Sequence, residues 1–408
     1  MKKEKILYVH QFFFHPKESG GTRVYWNAQE LMKAGYEVTV ITQGNPMNPF
    51  HKSFKKIERR NIDGINVIYI RNAYAMSFSV ARRFLAFFLF MVKSTWFVLK
   101  ERNVSLIIAS STPLSIGLPA LVAKIFREIP YIFEVRDLWP EVPIQMGAIR
   151  NRFFIWLLRK FEATIYRHAR HIVALSPGMA KGIELYIPHS KVSIIPNMSK
   201  IDKFFSREKN RVLEAKLGLM SDSIKIIHFG AMGYVNGLEN FVEAAKISTS
   251  KYGREIEFIL VGGGKRKADY QVYQKNENLL NLHIFDRIAM EELSELVNLC
   301  DISYIGVVPI PILETNSANK FFDSLSAGKP IIINFGGWMQ EIIEGSNCGV
   351  RVDATDPNDL LEKIVMLRNN NNLMLEMGNN SRKLAEERFD KSILCAEYVK
   401  LVGNFLGK

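Results

Sequence analysis

Short apolar segments alternate with longer segments of mixed polarity along the first half of the chain. The predicted strands cover residues 6–9, 38–42, 67–70, 106–109 and 131–135. Between the first two, apolar positions recur with helical spacing over 22–33, and Gly35 follows where a helix would end. Buried strands of four to six residues separated by helices are typical of βαβ units around a parallel sheet.

The same alternation restarts in the second half, after a strand at 192–195 and a polar stretch that runs to about residue 209. The predicted strands there cover 224–229, 256–261, 282–285, 302–305, 330–334 and 349–352. The predicted helices cover 238–249, 267–275, 290–299 and 316–327. The pattern predicts an α/β fold of two Rossmann-like domains, residues 1–200 and 201–388, followed by a final segment, 389–408. Because ligands of open α/β sheets bind at the carboxyl ends of the strands, two such domains facing each other would enclose a cleft.

The length and the cysteines limit the class of protein. A chain of 408 residues suits two hydrophobic cores rather than one. The three cysteines, Cys300, Cys348 and Cys395, lie far apart, which favours buried thiols in a reducing compartment over a disulfide framework or a zinc cluster. The most apolar stretch, 84–92, ends at Lys93 and is too short for a bilayer, which takes about 20 apolar residues.

Positive charge is concentrated in the first half of the chain. The net charge is +13, but residues 1–200 hold 29 Lys and Arg against 13 Asp and Glu, whereas the remainder holds 25 against 28. Such a basic half predicts an anionic partner, either phospholipid or a diphosphate-linked acceptor. Ordinary solvation of a basic protein is the alternative. Nucleic acid is disfavoured because no known reader motif is present.

Two segments of the first half combine chemistry with a strand end. Gly20 and Gly21 lie between the first strand and the first helix, where backbone N–H groups and a helix N-terminus suit a phosphate, unless they form a plain turn. Arg136 and Asp137 follow the strand at 131–135, so their charges lie beside the predicted cleft. A salt-bridged strand exit is the alternative for this pair.

Glycines also follow two strands of the second half. Gly230 follows the strand at 224–229, and residues 262–264 are three glycines after the strand at 256–261. Glycines in these places allow the backbone to pass close to a ligand, and we expect Gly230 and Gly263 to line the same rim. Lys265 comes next and is either a phosphate ligand or a solvated residue.

The most informative segment is 314–330, a polar loop that leads into a predicted helix and then into Gly-Lys-Pro before a strand. The N–H groups of Asn316, Ser317 and Asn319 are expected at the helix N-terminus, where they would bind a diphosphate. Lys320 adds a positive charge. Asp323 lies about one turn further on the same face, where a carboxylate can accept both ribose hydroxyls.

In chain order, four features carry a resemblance to a known family. They are the Gly20-Gly21 pair, the strand that ends at Pro196-Asn197, the three glycines at 262–264, and Asp-Ser-Leu-Ser-Ala-Gly-Lys-Pro at 323–330. Together they resemble the retaining, family-four glycosyltransferases of the GT-B fold over essentially the whole chain. The segments at 137–141 and 317–323 are similar to the N-acetylfucosaminyl-type transferases of bacterial O-antigen and capsule assembly.

The resemblance implies two facing Rossmann-like domains, with the acceptor in the first and the nucleotide sugar mainly in the second. It implies no metal, because basic groups and helix dipoles take its place. It also implies that a C-terminal helix, about 391–406, crosses back to the first domain.

Three departures from the family pattern bear on the site. Of two family glutamates separated by seven residues, the second falls on Asp323 and the first on Thr315, beside Glu314. The loop at 230–237 lacks the family's Arg and Lys. The strand exit carries Arg136-Asp137 where the family often has His-Asp.

These departures shift the expected roles. Lys320, Arg287 and the amides of 317–319 are expected to stabilise the negative charge of the departing diphosphate. Asp137 is the side-chain candidate for a base, and Arg136 is expected to orient the acceptor. The remaining expected donor-site residues are Gly20, Gly21, Gly230, Gly263, Asn316, Ser317, Asn319 and Asp323.

Two aromatic, basic segments bear on the acceptor. Residues 82–93 are expected to form a helix that lies on an anionic membrane surface, with a core helix of the first domain as the alternative. For 152–160 the core helix is favoured and membrane contact is the alternative. The function expected is transfer of a sugar, such as an N-acetylated deoxyhexose, from a UDP-linked donor to a lipid-diphosphate-linked saccharide at the cytoplasmic membrane face. A sugar-nucleotide epimerase and a catalytically silent binding subunit are the alternatives.

Overall fold

The computed structural model describes residues 3–18, 20–44, 55–75 and 78–407. They form two compact units. The first comprises Met1–Pro196, Thr315–Ser317 and Ser392–Lys408, and the second comprises Asn197–Glu314 and Ala318–Lys391. Each unit contains a largely or wholly parallel sheet flanked by helices, which confirms the predicted α/β fold class.

The first unit contains an eight-stranded sheet. Its strands are β1 (Lys5–Val9), β2 (Glu37–Gly44), β3 (Ile57–Ile62), β4 (Ile65–Arg71), β5 (Val104–Ser110), β6 (Tyr131–Val135), β7 (His171–Ala174) and β8 (Val192–Ile194). Its helices are α1 (Arg23–Lys33), α2 (Val80–Lys100), α3 (Gly117–Arg127), α4 (Glu141–Gln145), α5 (Arg152–His168) and α6 (Pro177–Glu184). The strand order is β3-β4-β2-β1-β5-β6-β7-β8, and only β3 is antiparallel to its neighbour.

The second unit contains six parallel strands. They are β9 (Ile224–Ala231), β10 (Ile256–Gly263), β11 (Leu282–Phe285), β12 (Ile302–Ile305), β13 (Ile331–Ile333) and β14 (Gly349–Arg351). The helices are α7 (Arg211–Lys216), α8 (Glu239–Tyr252), α9 (Lys267–Asn276), α10 (Met290–Leu299), α11 (Asn319–Ser326), α12 (Trp338–Gly345), α13 (Pro357–Asn369) and α14 (Asn371–Leu384). The last helix, α15 (Lys391–Leu406), lies almost wholly in the segment that groups with the first unit.

In each sheet the strand order reverses at one point. The order in the second unit is β11-β10-β9-β12-β13-β14, so the chain proceeds outward from β9 on one side and from β12 on the other. The corresponding reversal in the first unit lies between β1 and β5. Open α/β sheets bind ligands in the crevice that such a reversal leaves at the carboxyl ends of the strands. These two strand pairs therefore locate the candidate sites.

The sequence analysis missed two strands. β3 has charged or polar residues at its four central positions and lies at the edge of the sheet, where most of its side chains are exposed. β7 is a buried strand of only four residues. A short strand and a charged edge strand carry little apolar signal, although both pair in full register with their neighbours.

The helix predicted over 316–327 is shorter than expected. It begins at Asn319, because Ala318 has an extended backbone with φ −71° and ψ 126° and precedes the first helical residue. Asn316 and Ser317 therefore lie before the helix, in the three-residue segment that groups with the first unit. The prediction that they belong to the helix N-terminus was wrong.

The interpretation of 152–160 as a core helix was also wrong. α5 exposes Phe153 to 71% and Trp156 to 54%, and its buried residues, such as Ile165 and Tyr166, come only from its second half. The three cysteines are buried and form no disulfide bond among the described residues, as expected. Within the part of the chain described, no helix combines the length and apolar character needed to cross a membrane.

Candidate active site

A histidine lies at the strand reversal of the first unit. His10 follows β1, and its Nδ1 is 2.9 Å from the backbone carbonyl oxygen of Ser110 at the end of β5. Since a carbonyl can only accept, Nδ1 carries the proton and Nε2 is left as an acceptor. The Arg136 guanidinium donates to that Nε2 at 3.0 Å. Burial, and then Arg136, lower the pKa of His10 to about 3, which keeps the ring neutral.

Arg136 is thus held at the carboxyl end of β6, directly after the strand that the sequence predicted at 131–135. Its backbone N–H donates to the Ser111 hydroxyl at 2.9 Å. Burial lowers the pKa of Arg136, while the Glu134 carboxylate opposes that shift. The guanidinium therefore remains a cation that is fixed by neutral and anionic partners.

A fully buried ion pair lies beneath this position. Glu134 accepts from Arg23 at 3.1 Å and from the Ser110 hydroxyl at 2.9 Å. Arg23 also donates to the carbonyl oxygens of Ile195 and Pro196. Neither residue of the pair had been singled out, because a charged residue in a strand or at a helix start carries no sequence mark of burial. Arg23 and Glu134 therefore support the site from inside the core.

Asp137 follows Arg136 and is partly buried. Its Oδ2 accepts from the Thr112 hydroxyl at 2.5 Å. Burial raises the pKa of Asp137, against the opposing effects of Thr112 and Arg136. A carboxylate whose pKa is raised in this way is a better proton acceptor than an exposed aspartate.

The glycines of the first loop have a packing role. Gly20 is exposed, and a Cβ added there would collide with the ring of Phe14. Gly21 is partly buried and comes two residues before α1 begins at Arg23. The close approach of the Phe14 ring is sufficient reason for a glycine at position 20.

The second unit repeats the arrangement of a histidine and a cation at its strand reversal. His228 of β9 is fully buried, and its Nδ1 lies 3.1 Å from the Tyr304 carbonyl oxygen of β12. Its Nε2 is 3.0 Å from Nζ of Lys320. By the same reasoning Nδ1 carries the proton, so Nε2 accepts from the lysine. Burial, and then Lys320, lower the pKa of His228 well below its ordinary value.

Lys320 is the best candidate for an anion ligand in the second unit. Its Nζ lies over the backbone of Gly230, because a Cβ added to that glycine would be 3.5 Å away. Among the residues that the structure describes, no carboxylate pairs with this amine within 4.0 Å. Burial lowers the pKa of Lys320 to about 7. A partly buried amine without a counter-ion is suited to receive an anion.

Asp323 lies one turn after Lys320 and has a partner that the sequence analysis missed. Its Oδ1 is 2.6 Å from Nζ of Lys200, and both side chains are buried. Burial raises the pKa of Asp323, and Lys200 opposes that rise. Lys200 therefore holds the carboxylate that was expected to accept the ribose hydroxyls.

Two of the three glycines at 262–264, where β10 ends, are explained by the close approach of neighbouring backbone. A Cβ on Gly262 would collide with the Gly230 carbonyl oxygen, and one on Gly264 would collide with the Met232 carbonyl. Gly263, in contrast, has open space above its Cα. Arg287 is exposed after β11, two strands from β9, and makes no ion pair with the described residues. Gly230 and Gly263 thus lie at the carboxyl ends of β9 and β10, and Arg287 follows β11, the next strand of the sheet.

The remaining predicted residues are distributed over both units. Thr315 belongs to the first unit, where its carbonyl accepts from the Ser176 hydroxyl and its side chain packs on Gly178. Asn316 and Ser317 follow in the same segment, whereas Asn319 begins α11 in the second unit. The Glu314 carboxylate lies against Gly336, since a Cβ added there would be 3.2 Å from Oε1. Glu314 is therefore placed beside the glycines that precede α12.

The described residues contain no group of three or more His, Cys, Asp and Glu side chains arranged to hold a metal ion. The polar residues that the sequence analysis missed are His10, Arg23, Glu134, Lys200 and His228. The two histidines had a usable signal, because each lies in or directly after the first strand of its Rossmann-like unit, in a segment that is otherwise apolar.

Comparisons with known proteins agree along the chain. Residues 20–198 match a family model described as a glycosyl transferase 4-like domain, and residues 209–384 match one described as glycosyl transferases group 1. The capsular polysaccharide biosynthesis glycosyltransferase CapM of Staphylococcus aureus is 23% identical over 314 residues, which are 74% of this chain and 77% of that protein.

Two further relatives are informative. The N,N'-diacetylbacillosaminyl-diphospho-undecaprenol alpha-1,3-N-acetylgalactosaminyltransferase of Campylobacter jejuni is 24% identical over 332 residues, 76% of this chain and 81% of that protein. Anabaena HepE, solved in complex with UDP and glucose, has a TM-score of 0.72 at 17% identity and covers 98% of this chain and 99% of its own. The likeness to HepE shows that the two proteins share a fold.

Proposed function

Because this chain belongs to the family-four glycosyltransferases of the GT-B fold, with a 4-like domain followed by a group 1 domain, we propose that it transfers a sugar from a UDP-linked donor to a lipid-diphosphate-linked saccharide. The transfer is retaining and needs no metal. The product belongs to a bacterial surface polysaccharide, and an N-acetylated deoxyhexose is the sugar that we propose. The observation that carries the donor site is the amine of Lys320 over Gly230, without a carboxylate partner among the described residues.

The donor diphosphate is proposed to lie at the carboxyl ends of β9 and β10. Lys320 would contact it with a point charge, and the backbone at Gly230 and Gly263 leaves space for its oxygens. Asp323, held by Lys200, would accept the ribose hydroxyls. Support for UDP comes from HepE, which was solved with that nucleotide.

In the proposed reaction the bond between the anomeric carbon and the diphosphate oxygen breaks through an oxocarbenium-like transition state. The electron pair leaves with the diphosphate, whose growing negative charge Lys320 stabilises. The acceptor hydroxyl attacks from the side that the diphosphate leaves, so the configuration is retained. Its proton passes to the departing phosphate, or to Asp137 as a second acceptor.

A lipid-linked acceptor is supported by two observations. The name of the Campylobacter relative includes a diphospho-undecaprenol acceptor. In this chain, α2 exposes an apolar stripe formed by Leu85, Phe88, Leu89, Val92, Trp96 and Leu99. These positions lie within about 100° of one another around the helix axis at 3.6 residues per turn. The same helix carries four Lys and Arg and no acidic residue.

α5 presents a second surface of the same character. Its exposed Phe153 and Trp156 rings stack with centroids 5.9 Å apart. Arg152, Arg159 and Lys160 of the same helix line a cavity of about 520 Å³ beside Trp156. Aromatic side chains next to exposed cations are typical of helices that lie in the interface of an anionic membrane. We therefore propose that α2 and α5 both contact the membrane.

The donor site predicts ligand-dependent stabilisation. With EDTA present, one nucleoside diphosphate from a panel of UDP, GDP, ADP and CDP is expected to raise the melting temperature, and UDP is the one that we propose. At 100 times its Kd the ligand adds about 2.7 kcal/mol to the stability of the protein. Differential scanning fluorimetry measures the shift. No shift with any of the four would remove the donor site, and a shift seen only with added Mg²⁺ would refute metal independence.

Membrane contact predicts flotation with vesicles. The wild-type protein is expected to float with phosphatidylglycerol-containing liposomes at low salt and to lose most of that binding at high salt, because anionic lipid attracts the basic helices. A Phe88→Ser, Trp96→Ser variant should lose flotation at both salt concentrations. The matched control replaces Val272 and Leu280 with serine, because these are equally exposed apolar residues of the second unit. Equal flotation of both variants, or none by the wild type, would contradict the proposal.

A further inference from the structure

His228 is fully buried, and both of its ring nitrogens have polar partners. Nδ1 faces the Tyr304 carbonyl at 3.1 Å and Nε2 faces the Lys320 amine at 3.0 Å. The carbonyl fixes the proton on Nδ1, so the ring presents a lone pair to Lys320. β9 and β12 are the two strands between which the order of the sheet reverses.

We infer that His228 is a positioning residue, which holds the amine of Lys320 over the backbone of Gly230, where the amine would bind the nucleotide diphosphate. This inference rests on the proposed function and deepens it, since it names the group that aims the phosphate ligand. His228 itself does not contact the donor.

The geometry explains why an acceptor is needed. A flexible lysine side chain loses rotamer entropy when it is fixed, so it remains in place only when a partner holds it. A carboxylate would hold the amine but would also neutralise it and compete with the diphosphate. A neutral imidazole holds the amine and leaves its charge available. The first unit uses the same solution for Arg136 with His10, which shows that the arrangement is not confined to one place in this chain.

The surroundings of the pair determine its protonation. Tyr304 of β12 faces His228, and burial raises its hydroxyl pKa far above neutrality, so this group does not titrate near pH 7. Asp323 of α11 is paired with Lys200. Burial lowers the pKa of Lys320 to about 7, so the neutral form of the amine is appreciably populated near neutral pH. Since a bound diphosphate favours the charged amine, its binding must draw a proton from solvent at pH 7 and above.

The sign of the pH dependence follows. Well below pH 7 Lys320 is already charged, so its protonation adds no pH dependence to the affinity for UDP. Above pH 7 the free protein must first take up a proton, so the affinity for UDP falls, by roughly tenfold between pH 7 and pH 8.5. The terminal phosphate of UDP, with a pKa of about 6, is already ionised over this range and does not obscure the effect.

The experiment is isothermal titration calorimetry of the full chain with UDP, at pH 7 and pH 8.5, in buffers of different ionisation enthalpy. The wild type should take up a larger fraction of a proton per UDP at pH 8.5 than at pH 7. His228→Leu should weaken UDP binding by about 10- to 100-fold and remove the proton uptake, because the amine is released to solvent. His228→Gln keeps an acceptor and should restore both.

A control and a measurement without mutation complete the test. His171→Leu removes a buried histidine at the start of β7, in the first unit, so it should leave UDP binding and its proton uptake unchanged. Histidine-selective ¹⁵N NMR of the wild type should show the Nδ1–H tautomer for His228, with the His228→Gln spectrum providing the assignment. This measurement decides the tautomer even if the leucine variant does not fold.

The outcomes separate the two claims. If the wild type binds UDP but His228→Leu binds it as tightly with the same proton uptake, the inference about His228 is refuted and the donor site stands. An Nε2–H tautomer likewise refutes it. If the wild type binds none of UDP, GDP, ADP and CDP, the donor site itself fails, and the role of His228 fails with it.

Discussion

Lys320→Met is expected to lower kcat for glycosyl transfer by about 10²- to 10³-fold, the loss typical when one preorganised group that stabilises transition-state charge is removed. The methionine side chain is similar in length and apolar, so it fills the same space over Gly230 without a charge. The amine stabilises the diphosphate more strongly as negative charge develops on it, so kcat should fall more than KM rises.

The matched control for this variant is Lys265→Met. Lys265 is an exposed lysine of the same unit, located after the glycines that follow β10, and it makes no ion pair with the described residues. Its replacement removes the same charge and should change kcat by less than about twofold, because exposed charges contribute little. Steady-state turnover of UDP-sugar, measured as UDP release, gives both parameters. A Lys320→Met enzyme with wild-type kcat would refute the role assigned to this amine.

The second large effect is expected on stability. Glu134→Gln should destabilise the first unit by about 3–5 kcal/mol, because Arg23 would be left as a buried charge without its counter-ion. Only 1% of the Arg23 side chain and none of the Glu134 side chain is exposed. The pair also joins β6 to α1 and to the end of β8, so the loss should appear in all three elements.

Hydrogen exchange followed by mass spectrometry across a urea series locates the loss, through the peptides that contain β6, α1 and β8. The double variant Arg23→Met, Glu134→Leu removes both charges and should recover much of the stability. Glu386→Gln is the matched control: it breaks a more exposed pair with Arg382, leaves the other hydrogen bonds of Arg382 in place, and should cost less than about 1 kcal/mol. Equal losses for Glu134→Gln and the double variant would contradict the account of the pair.

The Arg23–Glu134 ion pair makes the stability of the protein depend on pH, and the direction of that dependence can be stated. Burial disfavours the charged form of Glu134, but Arg23 and Arg136 outweigh burial and hold its pKa below the ordinary value. A carboxylate with a lowered pKa in the folded state stabilises the protein above the ordinary pKa of glutamate. That contribution is lost as the pH falls through the range between the two values.

Local pattern was sufficient to predict most of the fold. The boundaries of β6, β11 and α10 agree with the structure to the residue, because each is an apolar run or an amphipathic stretch with clear ends. The alternation of strands and helices along the chain then implied two parallel sheets. Of the elements that were missed, β3 is a charged edge strand that pairs with β4, the next strand along the chain, and β7 is a short buried strand between β6 and β8. Local hydrophobicity records neither of these pairings.

The candidate site divides in the same way. The sequence by itself determined that Arg136, Asp137, Gly230 and Lys320 stand at strand ends or at the start of a helix, because these positions follow from the pattern of elements. Which side chain faces which was decided only by the tertiary structure. Lys320 and His228 are 92 residues apart, as His10 and Arg136 are 126 apart. Each histidine meets its cation at the place where the strand order of its sheet reverses. The position of that reversal depends on how strands that are distant in sequence pair, and no single segment of the sequence specifies it.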